Sequence, residues 1–244
     1  MRRDIEERSL NAWPALETLI YDGWLLRFAN GHTKLANSVI PLYDANLPVT
    51  QKIDMVERLY RQRGLASIFK LTPWMQPTDL DARLADRGYR VVDPTSIRVS
   101  DLRRLAVSSD TTIRIAPRVD QSWMEGVAHL AALDGRSHAT LAMMMARVPA
   151  GAAFAGYWQD GRMLAAGLGV LEERAVGLFE IVTDAAHRRQ GLARRICRSI
   201  MAWAKAKGAA EAYLQVVASN AGAIALYDPL GFREAYRYHY RVRD

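Results

Sequence analysis

"TDAAHRRQGLARRI", residues 183–196, follows an apolar run, precedes a helical pattern and sets four arginines around a single glycine. The first backbone N–H groups of a helix have no intrahelical partner and lie at the positive end of its dipole. Added positive charge is locally unfavourable there unless an anion joins it. Gly191 and Ala193 let a phosphate come close to those free amides, and Arg188 and Arg189 offer charge-assisted hydrogen bonds. The stretch reads as a pyrophosphate site in preference to a solvated basic helix start.

The segments around it supply the setting. "AVGLFEIV" (175–182) has the composition of a strand buried on both faces, interrupted by one carboxylate, Glu180. A carboxylate is costly there unless partnered, so Glu180 either pairs with an arginine or serves as a general base. Downstream, residues 190–207 place Leu192, Ile196, Ile200 and Trp203 on one helical stripe and stop at Gly208. A strand (210–217), a helix (220–231) and an alternating strand, "FREAYRYHYRV" (232–242), follow. Pro229 is expected to push Asp228 away from helical backbone and to shorten that helix. Upstream, a strand at 113–117 and two helices at 121–133 and 139–148 lead into three strands over 152–184. These turn at Asp160-Gly161 and Glu173-Arg174.

The first half reads as a helix over 4–21 broken at Pro14, then two strands turning at Asn30-Gly31 within 23–42. A helix (49–64), a strand (66–72), a helix (78–88) and a strand (95–102) follow, before a polar linker at 103–112. The halves echo each other. "GYRVVDPTSIRV" (88–99) and "GFREAYRYHYRV" (231–242) share their glycine-aromatic-arginine start and arginine-valine end. Similar spacings lead back from them to Gly64 and Gly208, and then to Asp44 and Asp184. The first copy lacks the arginine-glycine loop, and an internal duplication is the expectation.

The stretch Val182–Ile196 resembles the signature loop of the GNAT superfamily of acyl-coenzyme-A-dependent N-acetyltransferases, arginine or glutamine, x, x, glycine, x, glycine or alanine. The tail is similar to that family's Asn-x-x-Ala-x-x-Leu-Tyr-x-x-x-Gly-Phe, matched at Asn220, Ala223, Leu226, Tyr227, Gly231 and Phe232. The likeness covers about residues 112–244; the first half is similar only in outline, as in two-module members with a degenerate N-terminal copy. It implies an α/β fold with a mixed, mostly antiparallel central sheet flanked by helices. Residues 107–244 would be catalytic and 1–106 a reduced half. It also implies that the amides of Arg188, Arg189, Gln190, Gly191, Leu192 and Ala193 hold the pyrophosphate of acetyl-CoA. Ile181, Val182 and Thr183 would pair with the pantetheine arm, with Asn220 on the cofactor side. Tyr227 would protonate the leaving thiolate, or else be a core tyrosine. Glu180 falls where the family often has a carboxylate.

Composition bounds the rest. The chain has 244 residues, half of them apolar, and a formal charge of +7, which suits an acidic partner or a phosphate-bearing cofactor. The single cysteine, Cys197, excludes an internal disulfide and suits a reducing compartment. No apolar stretch approaches the ~20 residues of a membrane span, and the first ten residues carry none of a signal peptide's apolar core. A cytoplasmic protein is expected. The five histidines show no metal spacing, so no metal is expected, and no nucleic-acid motif accompanies the charge. "GLGVLE" (167–172) lacks a third glycine and a following helix, so it reads as a packed strand. Met143–Met145 are either core or acceptor-pocket lining. The function expected is acetyl transfer from acetyl-CoA to a primary amine by direct attack. A non-catalytic coenzyme-A-binding sensor is the alternative. The acceptor, small molecule or peptide, has no transferable motif.

Overall fold

Asp22 and Gly23 both take positive φ, 42° and 81°, and Tyr21 pairs directly with Trp24 across them. This two-residue turn makes the first hairpin, because left-handed backbone at both centres matches the twist of the strands it joins. The hairpin expected at Asn30-Gly31 is therefore eight residues too late. Asn30 and Gly31 also have positive φ (51° and 82°), but they start a loop whose amides bond to Asn37. The helix expected over 4–21 likewise ends at Ala12. Pro14 closes it, and residues 17–21 form an edge strand instead.

The computed structural model describes residues 2–44 and 46–244. The first half contains α1 (Arg3–Ala12), β1 (Glu17–Tyr21), β2 (Trp24–Phe28), β3 (Val39–Ile40), α2 (Val49–Gln62), β4 (Ser67–Leu71), α3 (Leu80–Asp86) and β5 (Arg90–Asp101). The second contains β6 (Ile113–Ala116), α4 (Gln121–Leu130), α5 (Gly135–Met145), β7 (Ala152–Gln159), β8 (Arg162–Glu172) and β9 (Ala175–Thr183). It continues through α6 (Leu192–Ala206), β10 (Glu211–Val217), α7 (Ala221–Tyr227) and β11 (Arg233–Arg243). The fold is α/β, with a mixed, mostly antiparallel sheet; β3–β4 and β9–β10 are its parallel pairs.

All eleven strands form one sheet in the order β1-β2-β3-β4-β11-β5-β10-β9-β8-β7-β6. The two glycine-aromatic strands trade places. β5 comes from the first half yet lies against β10, while β11 from the second half lies against β4. Between them, Arg233 faces Val99 and Val242 faces Arg90. Arg90 and Arg233 open the two echoing stretches and Val99 and Val242 close them, so the pairing is self-complementary, as at a two-fold interface. The sequence echo is the local symmetry of the sheet's centre.

α6 buries Leu192, Ile196, Ile200 and Met201 against β8 and β9. Gly167 and Gly169 on β8 allow that approach: a Cβ on either would fall within 2.6 Å of an isoleucine methyl of α6. α1 spans the two halves. Arg8 pairs with Glu173 at 2.8 Å, and Asn11 donates to Glu172 at 3.1 Å. Among the described residues, no helix is long and apolar enough to cross a membrane.

Candidate active site

β9 and β10 run parallel only as far as Leu178 and Leu214. Beyond that point β10 continues against β5, from Gln215↔Ile97 to Val217↔Thr95, and β9 continues against β8 as far as Thr183. The sheet opens between them, which frees backbone polar groups of residues 179–183 on the side facing the gap. A bulge helps to turn β9 away. Leu168 pairs with Phe179 and Ala166 with Val182, so Glu180 and Ile181 together face Gly167. Glu180 takes a φ of 48°, an uncommon conformation for a non-glycine residue that re-aims its side chain.

Glu180 and Tyr227 line the same cleft, a cavity of about 580 Å³. Among the described residues, Glu180 has no ion pair or hydrogen-bond partner. Burial alone pushes its carboxyl up to about 7. No arginine pairs with it among the described residues. Tyr227 closes α7 and is buried, with its ring edge-on to Phe232 at 5.8 Å, and burial raises its hydroxyl well above the ordinary tyrosine range. Pro229 does not displace Asp228, which keeps helical backbone (φ −55°, ψ −45°); the chain continues as a 3-10 turn over Asp228–Leu230.

On the cofactor side expected from the sequence, Ile181 and Val182 line the cleft, and the buried Thr183 hydroxyl has no partner. Asp184 pins the loop by accepting from Ala186 N at 3.0 Å and from the ring of His187 at 2.7 Å. Arg188 is extended, whereas Arg189 and Gly191 take left-handed backbone, φ 65° and 80°. Gly191 caps α6 with no side-chain hydrogen bond, so the first-turn amides at Leu192 and Ala193 face outward unbonded. Arg188, Arg189 and Gln190 are exposed, and neither arginine has an ion pair among the described residues. Arg195 is committed instead to Asp110 at 2.7 Å. Asn220 spends its Oδ1 on the amide of Ala223 and caps α7.

The first half supplies one wall of the cleft, in part from the 23–42 stretch. Trp13, Thr33 and Leu35 line it from the first half, with Asp93 and Thr95 from β5 and Gln215, Tyr238 and Tyr240 from the exchanged centre. No periodicity or motif marks these positions; Asp93 and Thr95 reach the cleft because β5 lies against β10. Met144 and Met145 are core and Met143 is exposed, so that cluster forms no part of the cleft. Cys197 is a buried thiol, pushed up to about 12 by burial.

The chain carrying this cleft is similar to known proteins. The family model described as "Probable histone acetyltransferase Rv0428c C-terminal" matches residues 2–241. The chain belongs to this family of GNAT N-acetyltransferases. The uncharacterized N-acetyltransferase YobR of Bacillus subtilis is 29% identical over 99% of this chain and 98% of its own. The [ribosomal protein bS18]-alanine N-acetyltransferase of Escherichia coli is 40% identical over 77 residues, 32% of this chain and 52% of that protein. Among solved structures, a GCN5-related N-acetyltransferase from Kribbella flavida has a TM-score of 0.72 at 15% identity, over 98% of this chain and 94% of that one. GNAT members transfer acyl groups, and the coarse function of this chain follows from its membership.

Proposed function

We propose that this GNAT protein transfers an acetyl group from acetyl-CoA to a primary amine by direct attack within a ternary complex, most simply in the cytoplasm. The observation that carries the reading is the shared cleft: an unpartnered carboxylate and a buried phenol border the place where β9 and β10 part. The open amides of α6, the left-handed Gly191 and the unpaired Arg188 and Arg189 suit a pyrophosphate; the freed backbone of Ile181, Val182 and Thr183 suits the pantetheine amides. Bound there, acetyl-CoA supplies the activated acyl carbon and a thiolate leaving group. Glu180 takes a proton from the incoming ammonium, since a carboxyl titrating near 7 is both available and basic enough at neutral pH. Tyr227 returns a proton to the departing sulfur; burial raises its pKa and keeps it protonated until that moment.

Residues 1–106 are, on this reading, a degenerate copy of 107–244. Asp22-Gly23 and Asp160-Gly161 are equivalent left-handed hairpin turns, and β3–β4 repeats the parallel step of β9–β10. In the first copy the amides leading into α2 are already occupied. Asp22 accepts from Asn46 N at 3.0 Å and Leu47 N at 2.9 Å, with Lys52 Nζ 3.2 Å away. A carboxylate of the chain itself stands where the second copy leaves room for a phosphate.

Thiol release from acetyl-CoA with a panel of amines tests the function. Tyr227→Phe should lower kcat by about 10²-fold or more, the range for a general acid, with little change in coenzyme A affinity. Tight coenzyme A binding without turnover on any amine would mark a sensor instead.

A further inference from the structure

Arg27, on β2, is 2% exposed and forms no ion pair among the described residues. Its neighbours Trp24, Leu26 and Phe28 pack with α2, so Arg27 points to the opposite face, toward the end of α1. There its guanidinium meets three carbonyls. It donates to Leu35 O at 2.8 Å, to Leu10 O at 3.0 Å and to Trp13 O. A buried cation held only by backbone carbonyls is a costly way to close a helix end, and a planar fork is needed to reach three acceptors at once.

Two of those carbonyls belong to residues that border the cleft. Trp13 lies flat on Phe179, with 5.9 Å between ring centroids and 17° between planes, and Phe179 immediately precedes Glu180. The Trp13 indole N–H donates to Thr33 Oγ1 at 3.0 Å. Thr33 takes a φ of 59°, a strained conformation for a β-branched residue. Asn37 holds the loop in that shape by donating to the carbonyls of His32 and Thr33, both at 2.8 Å. Strain and buried charge thus converge on one short wall facing the bulge.

We propose that Arg27 is a positioning residue for the amine acceptor: by gripping Trp13 and Leu35 through their carbonyls, it sets the first-half wall of the cleft opposite Glu180 and decides which amines fit. This rests on the acetyltransferase reading above. It acts on the acceptor alone, because the groups that suit coenzyme A lie across the opening, on β9 and α6.

The test uses the full chain labelled with 5-fluorotryptophan, with the Trp13 signal identified by its loss in Trp13→Phe. Arg27→Lys keeps the charge but loses the fork; Thr33→Val keeps shape and strain but removes the indole's acceptor, and serves if Arg27→Lys fails to fold. In either variant the Trp13 fluorine signal should shift or broaden while the other five hold. The acceptor KM should rise roughly 10-fold, with kcat at saturation and the acetyl-CoA KM within about twofold of wild type. An unmoved Trp13 signal, or equal rises in both KM values, overturns the proposal. A displaced signal in a chain whose wild type acetylates no amine counts against the acetyltransferase reading and leaves the grip on Trp13 supported.

Discussion

A Cβ placed on Gly167 would come 2.6 Å from the Cγ2 of Ile196 and 2.7 Å from the Cδ1 of Ile181. Gly167 is also the single residue facing the bulge at Glu180, so one missing side chain serves two purposes. It seats α6 on the sheet and it leaves room for the kink in β9. Gly167→Ala should destabilise the protein by about 1–3 kcal/mol, the cost of overpacking a filled core, because both neighbours are held by further packing. Denaturant unfolding measures this. Coenzyme A affinity should fall as well, since α6 carries the loop; a loss of stability with unchanged affinity would show that the helix start tolerates the shift.

The anion site can be tested directly. Gly191→Glu places bulk and negative charge at the uncapped start of α6, on a residue whose φ of 80° suits glycine. Calorimetry should detect no coenzyme A binding to the folded variant. Arg188→Ala should weaken binding by ~1.5–3 kcal/mol, as for one hydrogen bond to a charged group. Wild-type affinity in Gly191→Glu would place the cofactor elsewhere.

Glu180 links activity and stability to pH in opposite directions. As a base it must be ionised, so kcat/KM should rise with pH through an apparent pKa near 7. Glu180→Gln should be slow at neutral pH and recover partly at higher pH as the amine loses its own proton. For stability, the folded carboxyl titrates above its ordinary value, so the folded state binds the proton more tightly than the unfolded one. The favourable state is complete below the ordinary value of 4.5 and is lost as pH rises through about 7. Glu180→Gln should therefore melt at a higher temperature than wild type at pH 8 and show no such advantage at pH 4. Equal melting at both would mean that the carboxylate finds a partner on ionising.

The exchanged strands predict how the halves behave when separated. Residues 107–244 alone would lack β5, which covers β10 on one side and β11 on another. That leaves an open edge at β10 and strips the cleft of Trp13, Thr33 and Asp93. The fragment should be insoluble or poorly folded, and co-expression with residues 1–106 should restore a soluble complex. Titration of the intact chain should give one coenzyme A, because Asp22 already occupies the amides before α2. A soluble 107–244 fragment with full turnover would remove the first half from the site.

Local chemistry carried much of this protein in plain view. The glycine-arginine loop, the apolar stripe of α6, the two-residue turns at Asp160-Gly161 and Glu173-Arg174, and the carboxylate inside an apolar strand are all short-range patterns. Each is imposed by backbone geometry or by the cost of a buried charge within a few residues. The first half was less legible, for local reasons too. Pro14 ends α1 early, and the hairpin turns at Asp22-Gly23, while the more familiar Asn30-Gly31 pair starts a loop tied down by a distant Asn37. What only tertiary structure decided is the partner of each terminal strand. β5 and β11 begin and end alike, and residue sequence alone does not say whether each pairs within its own half or with the other. The self-complementary register of Arg90, Val99, Arg233 and Val242 makes the exchange possible, and α1 bridging to Glu172 and Glu173 holds it. That choice places Trp13, Thr33 and Leu35 opposite Glu180. The loop that resembles a coenzyme A site is a property of one short segment, whereas the wall facing it exists only once distant strands have paired.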